Sequence, residues 1–301
     1  MSLSSFIKTL KSDGVLLPVL RKHLLDEDRK ISSGLAEHKE MVIRDAQQTI
    51  DCFTERMSEY NHRQTLEGEL FHPSQLGGCL RAQFYGQFKA PKDGMRSSTD
   101  LLRSALIFEF GTYVHVLFQN LCERAGVLTE RESAIVNPKL RIIGHGDGQL
   151  LIDGHKYLLE IKTVNDRGFA ALQGVKDAHK QQIHAYMKAL KLDAAVVVYI
   201  NKNTSELREY VVNYHEAYYQ EHVAKRITSY FDCVRALRLP AREGESPSRM
   251  PCSYCDFRRI CFDPGASDAW VAKLKHSSNK FAPRGKVLLV CRYKLVLKKS
   301  K

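Results

Sequence analysis

The chain has 301 residues, enough for one large or two small domains around a sizeable core. Its formal net charge of +12 and sequence pI of about 9.3 favour a polyanionic partner, of which nucleic acid is the commonest. No apolar run is long enough to span a bilayer, and Met1 to Lys8 lacks the apolar core of a secretory signal, so the eight cysteines are expected as thiols or metal ligands rather than disulfides in a soluble, intracellular protein.

Residues 1–70 read as helices. Phe6, Leu10, Val15, Leu16, Val19 and Leu20 give a first amphipathic stretch broken by Gly14 and Pro18. Met41 to Tyr60 gives a second, with Val42, Ala46, Ile50, Phe53 and Met57 near helical spacing. Neither carries chemistry, so packing or partner contact is the expected role. Ser74 can cap a short helix that places Cys79 near its end. Residues 90–100 have loop composition. A long helix, Leu101 to Arg124, follows, with Leu106, Phe110, Val114, Leu117 and Leu121 as its apolar face. His115 lies four residues after Gly111, on the same side of that helix. A lone helical histidine is more often a packing residue than a ligand. Leu128–Val136 and Lys139–Ile143 then read as strands.

The centre of the sequence is Gly144 to Thr163. Two apolar runs, Gln149–Ile152 and Tyr157–Ile161, flank Asp153-Gly154, a strong hairpin signal. With the loop at Gly154-His155, or at Asp153–Lys156, Asp153 faces Lys156, Asp147 faces Lys162 and Gln149 faces Glu160. The period of two then puts Asp147, Glu160 and Lys162 on one side of the sheet. Two carboxylates within reach of one another can hold a hard divalent cation such as Mg²⁺, and a neighbouring ammonium can orient water or neutralise developing charge. The competing reading is a solvated hairpin with ordinary surface charges. The Asp in matching register weighs against it.

Phe169–Leu190 reads as a helix with His179, Gln182 and Tyr186 on one face. Ala194–Ile200 is a buried strand and Leu207–Val212 an edge strand, followed by a helix from Tyr214 to Leu237. This order predicts an α/β or α+β domain with a mixed central sheet. After a linker at 240–250, Cys252, Cys255 and Cys261 fall within ten residues, two of them in C-x-x-C spacing. That density implies a Zn²⁺ or iron–sulfur centre lacking one ligand, with Cys79 as the candidate. Cys52, Cys122 and Cys233 fall in helical patterns and Cys291 in the tail. Residues 262–301 lose their pattern, and from Arg284 onward there are seven Lys or Arg and no acid, as in a nucleic-acid-binding arm or a solvated tail.

These residues together resemble the RecB-type branch of the PD-(D/E)XK nuclease superfamily that carries an iron–sulfur cluster, a branch that includes CRISPR-associated adaptation nucleases, AddB-type subunits and phage exonucleases. The resemblance covers about residues 70 to 265. Gly111-x-x-x-His115 resembles the family's metal-binding helix histidine. Gly144-His145-Gly146-Asp147 resembles its metal-binding aspartate segment, with Gly146 where the superfamily's name has proline. Glu160-Ile161-Lys162 is similar to E-x-K, and Gln182-x-x-x-Tyr186 to the branch's Q-x-x-x-Y.

The resemblance implies a restriction-endonuclease-like mixed sheet flanked by helices. It implies His115, Asp147, Glu160 and the Ile161 carbonyl as ligands of Mg²⁺ or Mn²⁺, with Asp147, Glu160, Lys162, Gln182 and Tyr186 as catalytic residues. It also implies a [4Fe–4S] cluster on Cys79, Cys252, Cys255 and Cys261, where the ligand chemistry alone allows Zn²⁺. The expected organisation is a helical extension (1–70), a nuclease core (71–250), a cysteine-rich segment (251–265) and a basic tail (266–301). The expected activity is metal-dependent DNA exonuclease action on ends with single-stranded character, in the cytoplasm of a prokaryotic or phage-infected cell. Helicase, recombinase or CRISPR integrase partners are expected, and no membrane. The alternative is a non-catalytic iron–sulfur subunit that binds DNA ends.

Overall fold

The apolar runs around Leu158 and Val197 become the middle of a five-stranded mixed sheet. In the computed structural model, which describes residues 14–31, 44, 47, 51, 70–94 and 98–278, the strands are β1 (Leu128–Asn137), β2 (Ile142–Ile152), β3 (His155–Val164), β4 (Ala194–Asn201) and β5 (Leu207–Asn213). They lie in sequence order. All neighbours are antiparallel except β3 and β4, which are parallel. The helices are α1 (Leu17–Ile31), α2 (Leu80–Gln87), α3 (Ser98–Arg124), α4 (Asp166–Ala170), α5 (Asp177–Leu190), α6 (Glu216–Tyr218), α7 (Lys225–Arg235), α8 (Arg258–Phe262) and α9 (Pro264–Ser278). A π-helical turn, Tyr219–Ala224, joins α6 to α7. The expected mixed sheet flanked by helices is therefore present. No described helix is long and apolar enough to cross a membrane.

Alternation along β3 sends Leu159 and Ile161 to one face of the sheet and Leu158 to the other. The first face meets α3 and α1 through Phe118, Cys122, Leu17 and Leu20. The second meets α5 and α7 through Ile183, Met187 and Ile227. A smaller cluster of Tyr85, Ala90, Phe257 and Ile260 joins α2 to the cysteine-rich segment.

Several expectations change. Pro18 does not break the first helix; it sits in the first turn of α1, where proline has no amide to waste. The amides of Val15, Leu16 and Leu17 donate to the Glu209 carboxylate at 2.6, 3.0 and 2.7 Å, which caps that end from β5. Cys79 is the N-cap of α2 rather than the end of a helix capped by Ser74. The helix expected over 169–190 divides into α4 and α5 around Gly174. The patternless region after 262 begins with α9, whose Trp270 and Leu274 pack on the core.

Helix α3 turns inward only part of the face that its apolar periodicity predicts: Val114 and Leu121 pack against the core. Leu106, Phe110 and Leu117 are 61%, 52% and 48% exposed, while Val116, Phe118, Gln119 and Cys122 are buried. The helix is apolar nearly all round over this stretch, so periodicity alone does not select a face. The rest of the predicted stretch before Gly14, most of the helix over Met41 to Tyr60, Cys52, Cys291 and the basic tail from Arg284 lie outside the described residues.

Candidate active site

The hairpin loop is Asp153-Gly154, one residue earlier than either expected placement, because Ile152 pairs with His155. Both loop residues have positive φ, 51° and 79°, as a two-residue type I′ turn requires. Moving the loop by one residue changes each pair sum by two. The register is therefore Gly148 to Leu159 and Gln149 to Leu158, and Asp147 comes level with Glu160 instead of Lys162. A change of two preserves parity, so the convergence of the acids survives the corrected register.

The β2–β3 ladder ends at the pair of Gly148 with Leu159. Beyond it, the Asp147 carboxylate takes the place of a ladder contact: Oδ2 accepts the Ile161 amide at 2.6 Å. Its other oxygen, Oδ1, lies 3.2 Å from His115 Nδ1 on α3. One turn further along α3, Gln119 Nε2 donates to the Asp147 main-chain carbonyl at 2.6 Å and to Glu132 Oε1 at 2.6 Å. Gln119 is fully buried, and it ties the strand that carries Asp147 to the helix that carries His115. The sequence reading missed it. The available signal was its spacing of four from His115.

On β3, Glu160 Oε1 accepts from Lys162 Nζ at 2.6 Å and from Gln182 Nε2 at 2.8 Å, and Gln182 Oε1 accepts from Lys162 Nζ at 3.2 Å. Glu160 is 2% exposed, and its second oxygen, Oε2, is buried with no hydrogen-bond donor. A buried carboxylate oxygen without a donor is costly. Tyr186 packs one turn along α5 from Gln182 and hydrogen-bonds Gln182 and the His145 main chain. Gly144 makes that approach possible, since a Cβ there would lie 2.7 Å from Tyr186 Oη. The structure thus brings together His115, Asp147, Glu160, Lys162, Gln182 and Tyr186. His179, on the same helix, turns elsewhere: its Nδ1 is 2.7 Å from Tyr199 Oη.

Burial by itself would raise the titration of Asp147, but His115, Lys162 and the Ile161 amide hold it down at about 2. Burial pushes Glu160 up to about 7; Lys162 opposes the rise and the neighbouring Asp147 adds to it. Burial works against the Lys162 ammonium, yet Glu160 and Asp147 outweigh it and its pKa is raised. Burial, then Glu160, raises Tyr186, which stays a neutral phenol. Burial, then Lys162 and Lys176, lowers His179 to about 3, so it is neutral. The centre is one firm carboxylate, one carboxylate that a positive charge would ionise, and one firm ammonium. Among the described residues, no three His, Cys, Asp or Glu side chains are grouped so as to hold a metal ion. Among the described residues of the site, Glu160 Oε2 and Gln119 Oε1 are buried acceptors with no hydrogen-bond donor.

The cysteines come within electrostatic reach of one another, though among the described residues no three of them are grouped so as to hold a metal ion. Cys79 acts electrostatically on Cys252, Cys255 and Cys261, so the chain brings residue 79 to the 252–261 segment. Burial raises all three of those thiols, and the Arg81 side chain hydrogen-bonds Cys261 and opposes its rise. The Phe257 amide donates to Cys255 Sγ at 3.4 Å. A Cβ at Gly244 would stand 2.2 Å from Cys252 Sγ, so only glycine fits there. Glu243 accepts the Leu80 amide at 3.0 Å and pairs with Arg226 at 2.8 Å, closing the two ends of the domain with polar contacts of its own. Cys122 and Cys233 are buried within α3 and α7, in the two main cores.

No family model matches the chain, and no curated protein is significantly similar to it. Among solved structures, the fold is similar to that of SSO0001, with 18% identity and a TM-score of 0.44 over 71% of this chain and 96% of that one. It is similar also to an alkaline exonuclease, LHK-Exo, from Laribacter hongkongensis, with 12% identity and a TM-score of 0.42 over 71% of this chain and 95% of that one. The same exonuclease in complex with dAMP is 12% identical, with a TM-score of 0.42, over 56% of this chain and 89% of its own.

Proposed function

We propose that the chain is a Mg²⁺- or Mn²⁺-dependent deoxyribonuclease of the restriction-endonuclease-like, RecB-type class that hydrolyses phosphodiester bonds at DNA ends. The observation that carries the proposal is the buried Glu160 carboxylate: one oxygen is tied to Lys162 and Gln182, the other is open, and Asp147 lies beside it. Carboxylate oxygens with an unpartnered acceptor are the donor set of a hard cation. His115, Asp147, Glu160 and the main-chain carbonyl of Ile161 are the residues that would hold it. Bound there, the cation would lower the pKa of a water and neutralise charge on a phosphate oxygen.

The chain's own groups supply the rest. Lys162 keeps its proton and places a positive charge where negative charge develops on the phosphate. Gln182 fixes both Glu160 and Lys162, which keeps the ammonium from drifting to solvent. Tyr186 remains a neutral phenol and serves as a hydrogen-bond donor at the rim of the same group. Gln119 holds the Asp147 main chain and acts through Asp147 as a positioning residue. A subunit that only gripped DNA ends would have no use for a buried Lys162–Glu160–Gln182 triangle, so we favour catalysis over the binding-only reading.

We assign Cys79, Cys252, Cys255 and Cys261 to one [4Fe–4S] cluster; Zn²⁺ would take the same four sulfurs. Their electrostatic proximity supports one shared centre, and the N–H donor on Cys255 Sγ and the guanidinium on Cys261 oppose the rise that burial gives those thiols. The positive charge of the chain supports DNA as the partner. A cytoplasmic setting, and a helicase, recombinase or integrase partner, complete the reading.

The test is substitution. Asp147→Ala, Glu160→Ala and Lys162→Ala should each remove cleavage of end-labelled DNA in Mg²⁺ while leaving DNA affinity within about twofold. Full activity in the Glu160→Ala protein would show that the site is elsewhere.

A further inference from the structure

His179 shares a face of α5 with Gln182 and Tyr186, yet the triangle of Glu160, Lys162 and Gln182 makes no use of it. Its ring goes instead to Tyr199 on β4, with Nδ1 2.7 Å from Tyr199 Oη. Tyr199 is the register partner of Lys162 across the parallel β3–β4 ladder. Paired residues of adjacent strands point to the same side of a sheet, so Tyr199 stands beside Lys162. The Lys162 charge acts on both Tyr199 and His179. His179 therefore lies next to the candidate site, one turn of α5 before Gln182.

Hydrogen bonding fixes where the imidazole keeps its proton. Tyr199 is fully buried, so its hydroxyl proton needs an acceptor. Burial raises its titration, and it stays a phenol. Its oxygen accepts the Lys176 amide at 3.1 Å. Among the described residues, the hydroxyl has one other partner, His179 Nδ1. An amide N–H only donates, so the phenol proton goes to the imidazole and Nδ1 is the acceptor. The ring is neutral, because burial, Lys162 and Lys176 all oppose its charge. Its single proton is then on Nε2. His179 is half-buried, and among the described residues Nε2 has no hydrogen-bond partner and is not sealed from solvent.

A directed N–H that the protein leaves unused, in the field of Lys162 and Lys176, suits an anionic oxygen. DNA offers such an oxygen at every phosphate. A protonated histidine here would oppose the Lys162 ammonium, whereas a neutral one binds the oxygen and leaves that charge undisturbed. We propose that His179 is a phosphate-binding residue of the site, its Nε2–H donating to a phosphate oxygen of the DNA held at Lys162, and that Tyr199 is the positioning residue that sets the tautomer. The proposal rests on the nuclease reading and adds to it a substrate contact outside the carboxylates and Lys162.

The test uses the full chain labelled with ¹⁵N-histidine and long-range ¹H–¹⁵N spectra near neutral pH; the His179 signal is the one that His179→Asn removes. The parent should show the neutral Nε2–H tautomer, and Tyr199→Phe should show a mixture of the two neutral tautomers. In the Glu160→Gln protein, which binds DNA without cutting it, an added DNA oligonucleotide should shift the His179 Nε2 signal. Kinetics on end-labelled DNA in Mg²⁺ separate contact from structure. His179→Asn fills the Nδ1 position but has no donor at Nε2, and His179→Gln has an amide donor that reaches it. His179→Asn should lower kcat/KM roughly tenfold or more, the worth of one hydrogen bond to a charged oxygen, and His179→Gln should stay within about threefold of the parent. A proton on Nδ1, an unchanged tautomer in Tyr199→Phe, an Nε2 signal unmoved by DNA, or equal kcat/KM in the Asn and Gln variants would overturn the proposal. If the parent cleaves no DNA, the nuclease reading fails, while the tautomer and the DNA-induced shift still decide the role of His179.

Discussion

Removing the cost of ionising Glu160 is the most informative perturbation of this protein. Inside the fold its carboxyl titrates at about 7 instead of 4.5, chiefly because it is buried. Holding it charged therefore costs on the order of 3 kcal/mol. Between those two pH values the folded state binds the extra proton, so stability falls as pH rises through that window and is lowest above it. Asp147 works the other way. Its titration is lowered to about 2 from 3.8, so its contribution is present above 3.8 and lost toward 2, outside the range from 5.5 to 8. A divalent cation on Glu160 would offset the cost above pH 7 and must displace a proton below it. At pH 5.5 its affinity should be about 30-fold weaker than at pH 8, a difference of about 2 kcal/mol in stabilisation at equal metal. The assay is thermal unfolding in EDTA and in Mn²⁺ at both pH values, with Glu160→Gln beside the parent. Mn²⁺ should raise Tm by several degrees more at pH 8 than at pH 5.5, and Glu160→Gln should lose that difference. An equal rise at both pH values, or an undiminished one in Glu160→Gln, would refute the placement of a cation on this carboxylate.

Gly144→Ala puts a methyl group 2.7 Å from Tyr186 Oη; it should cost about 1–3 kcal/mol by denaturant unfolding and reduce cleavage with it, whereas a stable and fully active variant would remove Tyr186 from the site. Gln119→Ala leaves the Asp147 carbonyl without its donor; a loss of about 1–3 kcal/mol should accompany a fall in kcat, with KM for DNA little changed, because Gln119 orients a residue and touches no substrate. Cys79→Ala should abolish iron incorporation measured on anaerobically purified protein and lower Tm as well, since metal binding to the native state adds to stability; retained iron would show that the fourth ligand is another residue.

The hairpin was legible because Asp153-Gly154 is one of the few dipeptides that accept positive φ at both positions. The loop lies one residue earlier than the sequence places it, a change of two in each pair sum that leaves parity intact and puts Asp147 level with Glu160. The face of α3 was not legible. Leu106, Phe110 and Leu117 carry the same hydropathy as Val116 and Phe118, and only the position of β3 decides which are covered. Gln119 escaped notice for a related reason: a buried amide has no apolar periodicity, and its role appears only when the Asp147 carbonyl is seen against it. Spacing shows three of the cysteines and one ligand missing; Cys79 is the candidate because the others fall in helical patterns or the tail, and it lies within electrostatic reach of Cys252 and Cys255. The clasp of Glu243 with Arg226 and the Leu80 amide did not show, since Glu243 and Glu245 in a Pro- and Ser-containing linker have no pattern around them.

The central claim is that the Asp147, Glu160 and Lys162 centre cuts DNA from an end with a divalent metal. The most direct measurement is digestion of end-labelled linear DNA and covalently closed circular DNA, in Mg²⁺ and in EDTA, by the parent protein and by Lys162→Ala. The parent should degrade the linear DNA in Mg²⁺ only and leave the circle closed, and Lys162→Ala should leave both intact. Digestion in EDTA, cutting of the closed circle, or undiminished digestion by Lys162→Ala would contradict the account.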